Sequence, residues 1–312
     1  MQCKYERLNG RCHRTALESS EKGFCLLHED WSRKNEEETK REFYREIEEG
    51  ERDFEGCVLA EINLSGREFE GSLNFRDATI KGNASFGGAT IDGDVSFAGA
   101  TIAGDARFNE VDIAGGVSFV DVIIERDAWF RGAIIGAFRG DANFTGVIIK
   151  GAYTSFCEAT IRGTAWFSGA TIKGLAWFAG ATIEKDAWFD SAKIGVAWFD
   201  SAKIEGNMQF NGATIEICAR FDDATIKGDT FFNGATIKGD ASFERATIEG
   251  NIYFPFANIA SLTLGKTRDR KSFAKFKNVQ TQENACREAR KIQENRGNRA
   301  LADDYFYREM EA

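Results

Sequence analysis

Three cysteines and a histidine stand in the pattern C-x8-C-x12-C-x2-H at the start of the chain: Cys3, Cys12, Cys25 and His28. Thiolate sulfur and imidazole nitrogen are the donors that a tetrahedral Zn2+ takes, and three sulfurs with one nitrogen make a standard structural set. Four protein donors close the coordination sphere, so the predicted Zn2+ site is structural and not catalytic. Gly10 and Gly23, each two residues before a cysteine, suit the tight turns that would present Cys12 and Cys25. His13 is the competing donor, but Cys12 beside it has the better chemistry. The bland alternative is a small core with reduced cysteines. Seven cysteines is an odd number, and three of them crowd the first 25 residues. That argues against a disulfide framework and for a reducing compartment with a local metal site.

No catalytic constellation appears elsewhere. Both histidines, His13 and His28, belong to the cysteine-rich segment, and Cys57, Cys157 and Cys218 are isolated. No nucleotide-binding glycine loop precedes a helix, so the chain is expected not to be an enzyme. The first four residues begin no apolar signal core, and no run of apolar residues is long enough to span a membrane. A cytoplasmic protein with no membrane span is expected. The segment 1–28 resembles the short CCCH knuckles appended to many proteins, some of which bind nucleic acid. Lys4, Arg7, Arg11, Arg14 and Lys22 are set against Glu6, Glu18 and Glu21. That is too weakly basic to predict a nucleic-acid partner.

The elements that must carry this segment are written as a repeat. Residues 54–264 hold 17 basic and 27 acidic side chains, an acidic body, and residues 265–312 hold 12 and 8. Within the body the motif Ala78-Thr79-Ile80-Lys81-Gly82-Asn83-Ala84-Ser85-Phe86 recurs with a period of 11. Large apolar residues alternate at spacings of five and six: Phe75, Ile80, Phe86, Ile91, Phe97, Ile102, Phe108 and onward to Phe254 and Ile259. An 11-residue period also fits a right-handed helical supercoil. A helix, however, needs apolar spacings of three and four, and glycine in most units costs up to ~1 kcal/mol each in a helix. Thr, Ile, Phe and Trp favour strands. Ala–x–Phe and Ala–x–Ile read as small-in, variable-out, large-in.

With these units on the page, the body resembles the pentapeptide-repeat family, in the variant whose central residues alternate at five and six. The resemblance implies a mainly β fold, a right-handed quadrilateral parallel β-helix with four units per coil. For residues 54–264 it implies about ten coils of about 22 residues, a rod about 50 Å long at ~4.8 Å per coil. Phenylalanine should then line two opposite faces and isoleucine the other two, with no cavity for a substrate. One departure is that the outward site before the central residue is mostly Thr, Ser, Arg or Trp, with Asp two residues earlier, as in Gly104-Asp105-Ala106. Those aspartates read as turn chemistry.

Five tryptophans take the outward site before Phe: Trp129, Trp166, Trp177, Trp188 and Trp198. Four units per coil stack Trp166 with Trp188, and Trp177 with Trp198 on the opposite face. Such columns read as an interaction surface for a protein partner or a homodimer. The competing readings are cross-strand pairs that stiffen the sheet, or a surface covered by a terminal helix. The stretch 121–156 breaks the pattern: Ile123, Ile134 and Ile148 replace threonine, and Gly136–Gly140 is expected to bulge. Threonine columns also occur on ice-binding β-helices, but Asp112, Ile123, Lys193 and Lys203 interrupt them here. Family members that inhibit DNA gyrase imitate DNA with an acidic surface. This is the alternative function, inhibition or protection of a type II topoisomerase by mimicry. Arg107, Arg131, Lys150, Lys173, Lys227 and Lys238 interrupt any acidic stripe.

Residues 29–53 read as a charged helical spacer that caps the first coil. Residues 265–312 read as a basic linker, Lys266–Lys271, and a helical hairpin near Gln280–Gln293 and Ala300–Glu311. A similar hairpin follows such repeats in multi-domain prokaryotic proteins. The expectation is a zinc-containing, non-enzymatic interaction scaffold.

Overall fold

The structure is a computed structural model that describes residues 1–8, 10–137, 140–265, 273–277, 279–295 and 297–311. Strands of mostly two residues, such as Val95–Ser96 and Thr101–Ile102, alternate with turns. Each strand pairs in parallel with the one a coil away: Val95 with Val117, Thr101 with Thr79, Asp112 with Thr90. The result is a four-faced parallel β-solenoid of about nine turns, nearer nine than ten because the first and last rungs are incomplete. We name its faces for the core residue each carries in the second coil: the Ile80, Phe86, Ile91 and Phe97 faces.

The expected division of the core is met. From Phe75 to Phe243 and from Ile80 to Ile248 the alternating Phe and Ile side chains are at most 1% exposed. Along the axis the rings stack, as in Phe97–Phe119 at 5.1 Å and 13°. Across the axis the two opposite phenylalanine faces meet edge to face, as in Phe97–Phe108 at 5.7 Å and 89°. Each buried side chain contributes roughly 1.5–3 kcal/mol, and each edge-to-face pair adds about 0.5–1.5. Rings in contact across the centre leave no lumen.

The corner aspartates act as expected of turn residues. Asp94 accepts from the backbone N–H of Gly116 at 2.7 Å, one coil on, and Asn83 from that of Asp105 at 2.9 Å. One corner departs from the expected turn at every unit. Between the Ile80 and Phe86 faces, Thr171–Trp177, Lys193–Trp198, Thr214–Arg220, Thr236–Ser242 and Asn258–Thr263 are continuous strands. In three of them Leu175, Val196 and Cys218 stand where Asn or Asp turns the chain elsewhere, and they extend the ladder instead. Gly136 has a left-handed φ of 88°, and pairing resumes at Val117 with Ala142, so the insertion leaves the ladder intact. Residues 138–139 of the expected bulge, the basic stretch Lys266–Lys271 and Arg296 of the expected hairpin turn lie outside the described residues.

Both ends of the core are covered. Helix α1 (Glu36–Glu48) lays Phe43 edge-on against Phe54 at 4.8 Å. At the other end α2 (Val279–Asn295) and α3 (Arg299–Glu311) form the expected hairpin. Buried Ala285, Ala289 and Tyr305 face the last coil, and Gln293 donates to the Leu262 carbonyl at 3.1 Å. Phe306 and Met310 of α3 are exposed. No helix among the described residues is long and apolar enough to cross a membrane.

Candidate metal centre and interaction faces

A two-stranded antiparallel hairpin, Glu6–Arg7 with Gly10–Arg11, folds the chain back so that Cys3 and Cys12 approach each other. Backbone bonds from Cys3 to the Arg14 carbonyl (2.8 Å) and from Cys12 to the Tyr5 carbonyl (3.0 Å) fix both. Gly23, at φ 71°, turns the chain into Cys25, and His28 follows one helical turn on, its N–H bonded to the Cys25 carbonyl at 3.1 Å. The donor atoms of Cys3, Cys12, Cys25 and His28 all lie within 4.8 Å of one another, and the four residues are buried. Nδ1 of His28 is 3.5 Å from the Cys3 sulfur and 3.3 Å from that of Cys25, while the Cys12 and Cys25 sulfurs are 4.0 Å apart. Tetrahedral bonds of about 2.3 Å to sulfur and about 2.0 Å to nitrogen require donor separations of roughly 3.5–3.8 Å. The set can therefore hold a metal ion.

The surroundings also fit. Nε2 of His28 lies 2.9 Å from the Glu55 carbonyl, which directs Nδ1 inward, and Tyr5 stacks on the imidazole at 4.0 Å. Cys25 N–H donates to the Cys3 sulfur at 3.1 Å, and the guanidiniums of Arg7 and Arg14 each approach the Cys12 sulfur to 3.8 Å. The hydrogen bond from the Cys25 thiol, with His28 and the Arg14 backbone assisting, holds the Cys12 thiol well below the usual thiol range. Arg14 is held in turn by Glu46 of α1 through bonds of 2.6–2.8 Å. His13 turns away to Glu51 at 3.0 Å and is not in the set. Cys57, 3.5 Å from Nε2 on the far side of the ring, is pushed up to about 12 by burial and remains a thiol.

Arg7, Arg14, Glu46, Glu55 and Cys57 were not singled out as site residues from the sequence. Their role depends on the first coil folding against the knuckle, and no local spacing records that. The same residues serve the open edge of that coil. Arg7 and Arg14 donate to the Asp53 carbonyl at 3.2 Å each, and Val58 N–H donates to the Leu27 carbonyl at 2.7 Å. Lys34 donates to the carbonyls of Leu27 and Val58 at 2.9 and 2.6 Å, and burial lowers its pKa to about 8. Gly56, at φ 67°, leaves the space that the Tyr5 hydroxyl fills, where a Cβ would overlap it. Unpaired backbone at a sheet end is costly, and here the knuckle satisfies it.

The tryptophans occupy the predicted columns. Trp166 and Trp188 pair in register on the Phe97 face with centroids 5.0 Å apart, and Phe231 stacks on Tyr253 farther along at 5.0 Å and 7°. On the Phe86 face Trp177 and Trp198 pair at 6.2 Å, Arg220 lies 4.7 Å over Trp198, and Trp129 stacks on Tyr153 at 5.8 Å. All five are partly exposed. α1 packs on Val58–Leu59 of the first coil, and α2 packs on Ile252–Tyr253, Asn258–Thr263 and Lys275–Phe276. The tryptophan-bearing strands lie between these ends.

Known proteins agree with this architecture in one comparison. The family described as Pentapeptide repeats (9 copies) matches residues 54–101, 91–134, 137–193, 210–258 and 221–268. The chain belongs to the pentapeptide-repeat family. Curated proteins provide no match. Pentapeptide-repeat proteins are structural scaffolds, in keeping with a core filled by side chains.

Proposed function

We propose that this pentapeptide-repeat chain is an interaction scaffold whose N-terminal knuckle carries a structural Zn2+ on Cys3, Cys12, Cys25 and His28, and whose tryptophan-bearing faces receive a protein partner. The carrying observation is the buried donor tetrad, whose ligand atoms all lie within 4.8 Å of one another, with the second nitrogen of His28 tied to the first coil. Sulfur-rich, four-donor coordination favours Zn2+ over oxygen-seeking cations. When bound, the ion supplies cross-linking and no chemistry. Metal analysis is expected to find one zinc per chain, lost in Cys25→Ser and kept in His13→Ala. Unchanged zinc in Cys25→Ser would refute the assignment.

The scaffold reading rests on partly exposed indoles at Trp129, Trp166, Trp177, Trp188 and Trp198 on a rigid, filled rod. Aromatic side chains with few rotamers are favoured at interface centres. Partner recovery from the native host is expected to drop for Trp166→Ala/Trp188→Ala or Trp177→Ala/Trp198→Ala, and unchanged recovery in both removes the idea. DNA mimicry needs a continuous acidic stripe. Here Glu125 pairs with Lys150 (2.7 Å) and Asp223 with Arg245 (2.6 Å), each cation one coil beyond its acid. Those ladders neutralise the acids in place and do not favour a DNA-like surface.

A further inference from the structure

At the first rung of the solenoid each face turns the N–H and carbonyl of its outward residue away from the rod, toward the N-terminal end. Three faces are closed there. Val58 N–H donates to the Leu27 carbonyl at 2.7 Å, and the Val58 carbonyl accepts from Lys34 at 2.6 Å. Asn63 N–H donates to the Tyr44 hydroxyl at 2.9 Å, and that hydroxyl donates to the Asn63 carbonyl at 3.5 Å. Asn74 N–H donates to the Arg52 carbonyl at 2.8 Å, and Phe54 N–H to the Asn74 carbonyl at 2.7 Å. On the Ile91 face the corresponding residue is Glu68. The strand Glu68–Phe69 pairs on one side only, with Thr90–Ile91. One coil on, the N–H groups of Thr90 and Asp92 reach back to the carbonyls of Arg67 and Phe69, at 2.9 Å each. The repeat directs the Glu68 and Glu70 N–H groups the same way, off the end of the sheet, with the Glu68 carbonyl between them. Among the described residues none of these three groups has a partner. The core beneath is shut, because the Arg52 guanidinium lies 5.2 Å over the ring of Phe69. What stays open is the sheet edge, along a groove of about 440 Å³ beside Arg52, Glu68, Glu70 and Asp92.

The charge at this edge is one-sided. Glu68, Glu70 and Asp92 are exposed, and exposed Asp112 follows Thr90 in the same column. Among the described residues none of the four has an ion-pair partner. The two cations nearby are engaged elsewhere. Arg52 donates to the carbonyls of Ile47 and Glu51 at 3.0 and 2.9 Å, and Arg67 lies 5.6 Å over the Tyr44 ring. Like charges opposite each other destabilise a strand pair, so these acids repel a second copy of the same edge and favour a basic strand. Alternate residues of a strand share a face. Glu68 and Glu70 would therefore each meet an outward side chain of an added strand, with one small inward residue between them above Phe69 and Arg52.

We propose that the N-terminal edge of the Ile91 face is a strand-addition site for an extended basic segment of a partner protein. Two alternate lysine or arginine side chains of that segment face Glu68 and Glu70, and its backbone bonds to the free N–H and carbonyl groups of the rung. Main-chain bonds give such a site its affinity, and the side chains at alternate positions give it specificity. The site shares no residue with the tryptophan columns.

Fluorescence anisotropy of a labelled hexapeptide that alternates arginine and alanine, titrated with the full-length protein, tests the proposal. Saturable binding is expected, weakened about tenfold or more in Glu68→Lys/Glu70→Lys, which sets like charges opposite each other. Glu184→Lys, which reverses an exposed acid far along the rod, is expected to bind as the unaltered protein does. The same peptide with N-methylated amides keeps its charge but cannot donate to the Glu68 carbonyl, and it is expected to bind about tenfold more weakly. Amide exchange at Glu68 and Glu70 should slow when the unmethylated peptide is bound. No saturable binding up to millimolar peptide overturns the proposal, and so does equal affinity for the N-methylated peptide. Equal weakening by Glu184→Lys would show diffuse attraction to the acidic body and would overturn it as well.

Discussion

Arg14 shows how much of the site depends on single side chains that no motif names. Its guanidinium lies 3.8 Å from the Cys12 sulfur, 3.2 Å from the Asp53 carbonyl, and against Glu46 of α1. Burial opposes that charge, and Glu46 more than offsets the opposition, so the Arg14 pKa is raised. Tyr305 has the corresponding place at the other end, where its hydroxyl accepts from Leu264 N–H at 3.0 Å. Burial raises its pKa from 10.0 to about 12. A phenol that ionises more easily unfolded than folded contributes stability that is intact below pH 10 and is lost as pH rises toward 12. Two units correspond to at most about 3 kcal/mol. Tyrosinate absorbance should therefore show a late phase that Tyr305→Phe lacks, with helix signal falling in the same window; an ordinary titration for every tyrosine would contradict this. The candidate metal donors were legible in the sequence because four rare residues share one short window. Arg14 and Glu46 were not, since 32 residues separate them and only the folded knuckle joins them.

The elements of the rod were legible almost completely. Spacings of five and six can be satisfied only by short strands that each bury one large residue, and from that follow the phenylalanine and isoleucine faces. The corner at Leu175, Val196 and Cys218 was not foreseen. Its extended backbone continues through Asp240 and Ser261 in the next two coils, so no single residue type at that position marks it in the sequence. The core predicts a cost for truncation in mid-rod. Phe108 contacts Phe86 and Phe130 along its column and Phe97 and Phe119 across it. Phe108→Ala should destabilise by about 3–5 kcal/mol, because coils on either side hold the hole open. Since each coil supports only its neighbours, faster amide exchange should centre on the coils around residue 108 and leave the far coils protected. A uniform loss of protection along the rod would argue against that picture.

At the scale of the molecule, a solenoid must close the two ends of its core and the two open edges of its sheets. The chain does this with unlike devices. The C-terminal hairpin uses apolar packing and Tyr305. At the N-terminal end Arg7, Arg14 and His28 of the knuckle, with Lys34 of the segment after it, satisfy backbone groups of the first coil. Segments this small need a cross-link to hold one shape, and the proposed Zn2+ would supply it. The most direct test is hydrogen exchange on the zinc-loaded protein before and after chelation. The account predicts that removing the metal exposes the amides of residues 1–28 and of the first coil, Phe54 to Leu64, while the coils from Phe97 to Phe221 stay protected. Unchanged exchange at Phe54–Leu64 after complete loss of zinc would contradict it.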